Sequence, residues 1–327
     1  MRLRSSGTAA AIVAACCVVS FAQQPTPAPE RQPQTSPAPA SEGSQTFRSN
    51  IDIVSLNVTV TDSMGHYVGD LTEDDFLVFE NGVKQDTTFF SHRQAPLALS
   101  MLLDTSSSMD PKLPTLQAAA ASFVDRLKPG DMAQIVEFNS TQNVRQDFTT
   151  DHAALRKAIQ TLRAGGSTSL HNAIYVALKG LKKVQSAPTD ENPRRQALIV
   201  FSDGQDTSSL IPFEEVLDLA KRSETAIYSI GLRDAQDQVR GFSQSEFVLR
   251  QLSLETGGRS FFPGSIDDLA AVYGQIADEI ASQYALAYSP KNARHDGTYR
   301  RIVVQVSKPN LTSRTKQGYY APTNTNR

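Results

Sequence analysis

The chain has 327 residues, of which 39% are hydrophobic and 20% are charged. These proportions are those of soluble globular proteins, and they exclude collagenous, disulfide-scaffold and fully disordered chains. With 34 acidic and 32 basic residues the formal net charge is −2, so charge gives no indication of nucleic acid or anionic lipid as a partner.

Residues 1–22 are predicted to be a signal peptide. Arg2 and Arg4 precede an apolar-leaning stretch from Gly7 to Ala22, and the small residue Ala22 suits a cleavage site. The stretch is shorter than the roughly 20 apolar residues that a membrane span needs. We therefore expect an exported protein, either secreted or located in the periplasm or cell envelope, with no transmembrane span in the mature chain.

An alternative for the same segment is a lipid anchor. Val13-Ala14-Ala15-Cys16 resembles the lipobox of bacterial lipoproteins, which would make Cys16 the lipid-bearing residue. The chain has two cysteines, Cys16 and Cys17, and both lie in this segment. Cleavage near Ala22 would leave a mature chain without thiols, which excludes disulfides, cysteine catalysis and zinc–thiolate sites.

Two β segments are predicted to flank a central domain. Residues 23–46 are rich in Pro, Ala and Ser and are predicted to be a disordered linker, as are residues 322–327 at the other end. Residues 47–95 show a two-residue hydrophobic period and an Asn81-Gly82 turn signal, and a similar pattern covers residues 283–321. Because each segment alone has too few strands, we expect the two to complete one small β-sandwich.

Residues 96–282 alternate apolar strand-like runs with helical patterns. This alternation predicts an α/β domain with a doubly wound, mostly parallel sheet inserted between the two β segments. Ligands of such sheets bind beyond the carboxyl ends of the strands. The residues that follow the strands are therefore the candidates for chemistry.

Three polar loops occupy such positions. Asp104-Thr105-Ser106-Ser107-Ser108 follows the first apolar strand, Gly165-Gly166-Ser167-Thr168 opens a helix, and Ser202-Asp203-Gly204 follows the strand around Ala197–Phe201. Taken singly, such residues are more often helix caps and turn formers than metal ligands. Together they supply hydroxyl and carboxylate oxygens from three loops that can converge on one edge of the sheet.

In order and spacing, these loops resemble the metal-ion-dependent adhesion site of von Willebrand factor type A domains. The resemblance covers roughly residues 96–282. The flanking segments resemble a bacterial subgroup of type A-related domains that is well represented in acidobacteria; its motifs here are Val68 to Phe76, Glu80-Asn81-Gly82 and Gly318-Tyr319-Tyr320.

The resemblance implies a site for Mg²⁺ or Mn²⁺ formed by five residues: Asp104, Ser106, Ser108, Thr168 and Asp203. It implies direct binding by the two serines, direct or water-mediated binding by Thr168, and mainly water-mediated binding by the two aspartates. An oxygen-only ligand set suits a hard cation. Asn172 stands where relatives often have an acidic residue, which puts the bracing of the loop in doubt.

The function predicted from these observations is that of a metal-dependent adhesion module. An open position on the metal would take an Asp or Glu carboxylate of a protein partner. The alternative is a structural subunit of an envelope, pilus or secretion assembly in which the metal stabilises the domain. We expect no enzyme activity and assign no catalytic residue, because His171 is the one titratable neighbour of the loops besides the aspartates, and a surface or helix-packing role suits it better.

Overall fold

The computed structural model describes residues 52–92, 95–185, 194–202, 206–232 and 244–323. The predicted signal peptide, the linker, Cys16 and Asp203 lie outside these residues. No helix in the described ranges is both long enough and apolar enough to cross a membrane.

Fourteen strands and six helices are described. The strands are β1 (Val54–Thr61), β2 (Phe76–Glu80), β3 (Val83–Gln85), β4 (Thr87–Ser91), β5 (Leu97–Asp104), β6 (Met132–Phe138), β7 (Gln142–Thr149), β8 (Arg195–Ser202), β9 (Thr225–Gly231), β10 (Ser260–Phe261), β11 (Tyr284–Tyr288), β12 (Tyr299–Val306), β13 (Thr312–Arg314) and β14 (Gly318–Tyr320). The helices are α1 (Leu113–Val124), α2 (His152–Gln160), α3 (Leu170–Gln185), α4 (Phe213–Arg222), α5 (Gln244–Thr256) and α6 (Leu269–Ser282).

The central sheet has six strands in the order β10-β9-β8-β5-β6-β7. Every neighbouring pair is parallel except β6 and β7, which are antiparallel. All eight residues of β5 are buried, as expected for a strand covered on both faces. Alternate residues of β5 enter two different hydrophobic clusters, one containing α1, α2 and α6 and the other α3, α4 and α5. The predicted doubly wound fold is confirmed.

The flanking segments form two four-stranded sheets, ordered β13-β1-β11-β4 and β14-β12-β2-β3. Each sheet takes two strands from before the central domain and two from after it. Their inner faces share one hydrophobic cluster, whose members include Val58 of β1 and Leu286 of β11 from one sheet and Val78 of β2 and Ile302 of β12 from the other. The flanking segments thus complete one sandwich around the insertion, as the sequence predicts.

The Asn81-Gly82 turn signal is also borne out by the backbone. Asn81 has φ of 48° and Gly82 has φ of 81°, and the two residues join β2 to β3. A tight hairpin turn of this hand requires positive φ at both central positions, which Asn and Gly tolerate.

A buried polar network around an ion pair of one sheet ties the two sheets of the sandwich together through Tyr288. Arg300 is 2% exposed, and its guanidinium lies 3.4 Å from Glu80, with both side chains excluded from solvent. Tyr288 and Tyr319 each donate a 2.9 Å hydrogen bond to the same oxygen of Glu80. Burial and the neighbouring Glu80 raise the pKa of Tyr319 to about 12, so its phenol remains a donor at neutral pH. The network joins β2, β11, β12 and β14.

We predict that Glu80→Ala will destabilise the sandwich by about 3–5 kcal/mol, because it leaves the buried Arg300 charge uncompensated. Denaturant unfolding of the full chain measures the loss. The matched control is Asp86→Ala, whose carboxylate is 79% exposed and lies 3.1 Å from Lys291. Its cost should stay below about 1 kcal/mol. Equal costs for the two variants would contradict the assignment of Glu80 as the centre of the network.

Candidate metal site at the carboxyl edge of the central sheet

Asp104 is the last residue of β5 and has no exposed surface. Its Oδ1 accepts a 2.8 Å hydrogen bond from the backbone N–H of Ser106, and its Oδ2 accepts a 2.6 Å bond from the Ser202 hydroxyl. Ser202 ends β8, the parallel neighbour of β5, so the carboxylate joins two adjacent strand ends. Asp104 thereby fixes the start of the serine loop against the β8 end.

The two predicted serine ligands lie side by side. The hydroxyl oxygens of Ser106 and Ser108 are 3.1 Å apart, and a single 3₁₀ turn, Ser107–Met109, sets this spacing. Ser106 is nearly buried, whereas Ser108 is exposed. The pair presents two oxygens from one rigid turn at the surface of the sheet edge.

Gly166 connects the serine loop to the Thr168 loop. Its carbonyl accepts hydrogen bonds from both the backbone N–H and the hydroxyl of Ser107, at 3.0 and 3.1 Å. Gly166 has φ of 84°, and a Cβ at this position would lie 2.6 Å from the Ser140 hydroxyl. The conformation and the close approach together require glycine here. The second glycine of the Gly165-Gly166 pair is therefore required by the backbone conformation of the loop.

Thr168 is 6% exposed, and its backbone is held on both sides. Its N–H donates to the Thr207 hydroxyl at 3.0 Å, and its carbonyl accepts from the N–H groups of Thr207 and Ser208. Within the part of the chain that the structure describes, the Thr168 hydroxyl has no hydrogen-bond partner. This hydroxyl is not among the fully buried oxygens of the described residues, so a ligand or water can reach it.

Asp206 and the loop that follows it are features that sequence reasoning missed. Asp206 Oδ1 accepts from the N–H of Leu170 at 2.8 Å and from the Ser209 hydroxyl at 2.7 Å, so it holds the first turn of α3. Asn172 Oδ1 accepts from the N–H groups of Leu210 and Ile211, at 3.2 and 3.1 Å. Asn172 thus braces the loop, despite the departure from the acidic residue of relatives.

His171 has a packing role in this arrangement. Its Nδ1 lies 3.2 Å from the carbonyl of Ile211 and 3.4 Å from Asp206 Oδ2, and its ring packs 5.9 Å from that of Phe213. The imidazole therefore anchors the 206–211 loop to α3. The sequence favours the same role.

The donors brought together are hydroxyl and carboxylate oxygens. Over the described ranges, no group of three or more His, Cys, Asp or Glu is placed to hold a metal. The paired Ser106 and Ser108 hydroxyls fit a hard cation that keeps several waters. The bonds from Ser107 to the Gly166 carbonyl join their turn to the loop that carries Thr168. Asp203, the fifth predicted ligand, follows Ser202 directly but lies outside the described residues, so the full ligand set remains a prediction.

The central part of the chain is similar to a known family of domains and to curated proteins. The sequence model of the von Willebrand factor type A domain matches residues 99–205. UPF0353 proteins of Mycobacterium bovis and Mycobacterium tuberculosis are 24% identical over 198 residues, which cover 55% of this chain and 59% of theirs. The chain thus spans less than two thirds of the length of these curated relatives.

Two solved structures are similar to parts of the chain. A von Willebrand factor type A protein from Catenulispora acidiphila has 12% identity and a TM-score of 0.47, covering 85% of this chain and 76% of its own. Proximal thread matrix protein 1 from the mussel byssus has 18% identity and a TM-score of 0.45, covering 57% of this chain and 49% of its own.

The match of residues 99–205 and the doubly wound sheet that contains them show that the chain carries a von Willebrand factor type A domain.

Proposed function

We propose that the protein is an exported, metal-dependent binding module. Asp104, Ser106, Ser108, Thr168 and Asp203 would hold Mg²⁺ or Mn²⁺, and a protein partner would supply an Asp or Glu carboxylate. The supporting observation is the pair of hydroxyls of Ser106 and Ser108, 3.1 Å apart, on a turn that Ser107 joins to Gly166 in the Thr168 loop. Asp203 enters the proposal through the family resemblance alone.

The residues of the site have distinct tasks in this proposal. Asp104 orients the serine turn by accepting a hydrogen bond from the Ser106 N–H. The Ser202 hydroxyl orients Asp104 by donating to its other oxygen. Ser106 and Ser108 would bind the cation with neutral oxygens. A cation with few direct carboxylate ligands keeps its positive charge available for an incoming carboxylate.

We propose binding rather than catalysis for this site. A hydrolytic role would need a base free to take a proton from water. His171 is engaged by Ile211 and Asp206, and both oxygens of Asp104 accept hydrogen bonds from the protein. These contacts support a rigid holding site.

The second candidate function is a structural subunit of an envelope, pilus or secretion assembly. The bonds from Ser107 to Gly166 favour it, because a cation between these loops would also stabilise the domain itself. A pull-down from an envelope fraction separates the two functions. Adhesion requires that a chelator releases the partner, whereas a purely stabilising metal leaves the partner bound while the domain remains folded.

The first prediction of the proposed function is that Mg²⁺ or Mn²⁺ raises the thermal midpoint of the full chain. A ligand that binds only the folded state stabilises it by mass action. At a metal concentration about 100 times the Kd, the gain is about 2.7 kcal/mol. The double variant Ser106→Ala with Ser108→Ala should abolish the rise.

The matched control for this prediction is Ser107→Ala. It removes a hydroxyl from the same turn, but that hydroxyl donates to the Gly166 carbonyl and does not pair with Ser106. It should lower the basal midpoint slightly and keep the full response to metal. A double variant that still responds to Mg²⁺ like the wild type would place the metal elsewhere.

The second prediction concerns Thr168, which lies on a different loop from the two serines. A small shift of its loop would exchange direct contact with a bound metal for water-mediated contact, and this would couple loop position to partner affinity. Thr168→Ala should therefore weaken partner binding about fivefold or more and metal binding by less. Calorimetry with Mg²⁺ and then with the captured partner measures both.

The control for Thr168→Ala is Ser167→Ala, because the Ser167 hydroxyl bonds to Ser140 and Ser208 on neighbouring loops. It should bind the partner as the wild type does. Wild-type partner affinity of Thr168→Ala in saturating Mg²⁺ would refute the switching role.

A further inference from the structure

A cleft of about 780 Å³ lies at the opposite edge of the central sheet from the metal loops. One wall is the outer face of the β13-β1-β11-β4 sheet, and the other includes Pro96, Arg195 and Ala226, at or beside the amino ends of β5, β8 and β9. Its volume is in the range of sites that bind small organic molecules, and the boundary between two folded layers is a common place for them.

The two central strands of this sheet, β1 and β11, present mostly small side chains to the cleft. Ser55 pairs with Ala287 and Asn57 pairs with Ala285, and all four side chains line the cleft. The alternating partners Leu56 and Leu286 point the other way, into the sandwich core. Larger residues at the outward positions would close the space between the sheet and the central domain.

The wall contributed by the central domain and the C-terminal segment carries three basic residues, Arg194, Arg195 and Lys316, and one acidic residue, Glu224. Arg195 is fixed by hydrogen bonds from its Nε to the Ala95 carbonyl and from its Nη1 to the Ile280 carbonyl. Lys316 is partly buried. Among the described residues, its ammonium has no partner for a hydrogen bond or a close ion pair. Burial lowers the pKa of Lys316, and the charge of Glu224 partly offsets that effect.

Apolar surface completes the lining. Phe89 on the edge strand β4 is 54% exposed, and it lines the cleft together with Ala95, Pro96 and Ala226. An ammonium that is partly withdrawn from water and has no carboxylate within ion-pair distance is costly, and an anionic ligand would offset that cost. The apolar side chains would bury the remainder of such a ligand.

We propose that this cleft binds a small amphipathic carboxylate, whose charged group pairs with Lys316 and whose apolar body lies against Phe89 and the small residues of β11. The site is independent of the metal loops, since no residue is shared between them.

The experiment titrates the full-length chain with decanoate by calorimetry, in EDTA so that the metal site makes no contribution. Decanoate should bind saturably, and decanol and inorganic phosphate should each bind at least about tenfold more weakly, because each lacks one half of the recognition. Equal binding of decanoate and phosphate, or of decanoate and decanol, overturns the proposal.

Two variants test the position of the site. Lys316→Met removes the charge and keeps the length of the side chain, so it should weaken decanoate binding at least about tenfold. Ala285→Leu fills the cleft from the sheet side and should abolish binding. The matched control Lys308→Met alters an exposed lysine that lies 3.3 Å from Asp75, outside the cleft.

Lys308→Met should bind decanoate like the wild type. Far-UV circular dichroism and the thermal midpoint show whether each variant is folded. Wild-type decanoate affinity in folded Lys316→Met, or in folded Ala285→Leu, overturns the proposal.

Discussion

The whole architecture depends on one backbone pairing. Strand β4, which precedes the central domain, and β11, which follows it, are antiparallel neighbours, with Ser91 opposite Ala285. The chain therefore leaves the sandwich and returns to it at the same place. An insertion whose ends are adjacent imposes little strain on either unit, and this is why a complete doubly wound domain fits between two halves of a sandwich. Strand β1 on the other side of β11 fixes the register from Val54 to Val58.

Much of this fold could be predicted from the sequence because its buried strands have clear periodicity. The predicted β segment of residues 283–321 contains the strands Tyr284–Tyr288, Tyr299–Val306 and Gly318–Tyr320. Three strands, β3, β7 and β13, were missed. Strand β7 is an edge strand of mostly polar residues without a buried one, and β3 and β13 have three residues each. Such strands exist because a neighbour offers unpaired backbone groups, and a hydrophobic pattern does not record that.

The candidate site, like the fold, could be predicted only in part from the sequence. Asp104, Ser106 and Ser108 could be predicted because they follow an apolar strand directly, and strand ends converge on one edge of a parallel sheet. The roles of Asp206 and Asn172 could not, because they depend on a contact between α3 and the 206–211 loop that only the folded chain creates. Asn172 braces the loop although it stands where relatives often have an acidic residue, since an amide oxygen accepts backbone hydrogen bonds as a carboxylate does.

The amino and carboxyl ends of the central strands contact different parts of the chain. The sandwich meets the domain near the amino ends of the strands, where Arg195 donates to Ala95 and Arg314 donates to Gly258. The serine turn lies at the carboxyl ends, so attachment to the sandwich does not compete with the loops for space. A partner bound at the metal loops and a ligand in the cleft would act at opposite ends of the same buried strands. Coupling between them would require that β5 or β8 shift as a unit, and the burial of all eight residues of β5 resists such a shift. We therefore expect the two sites to act independently.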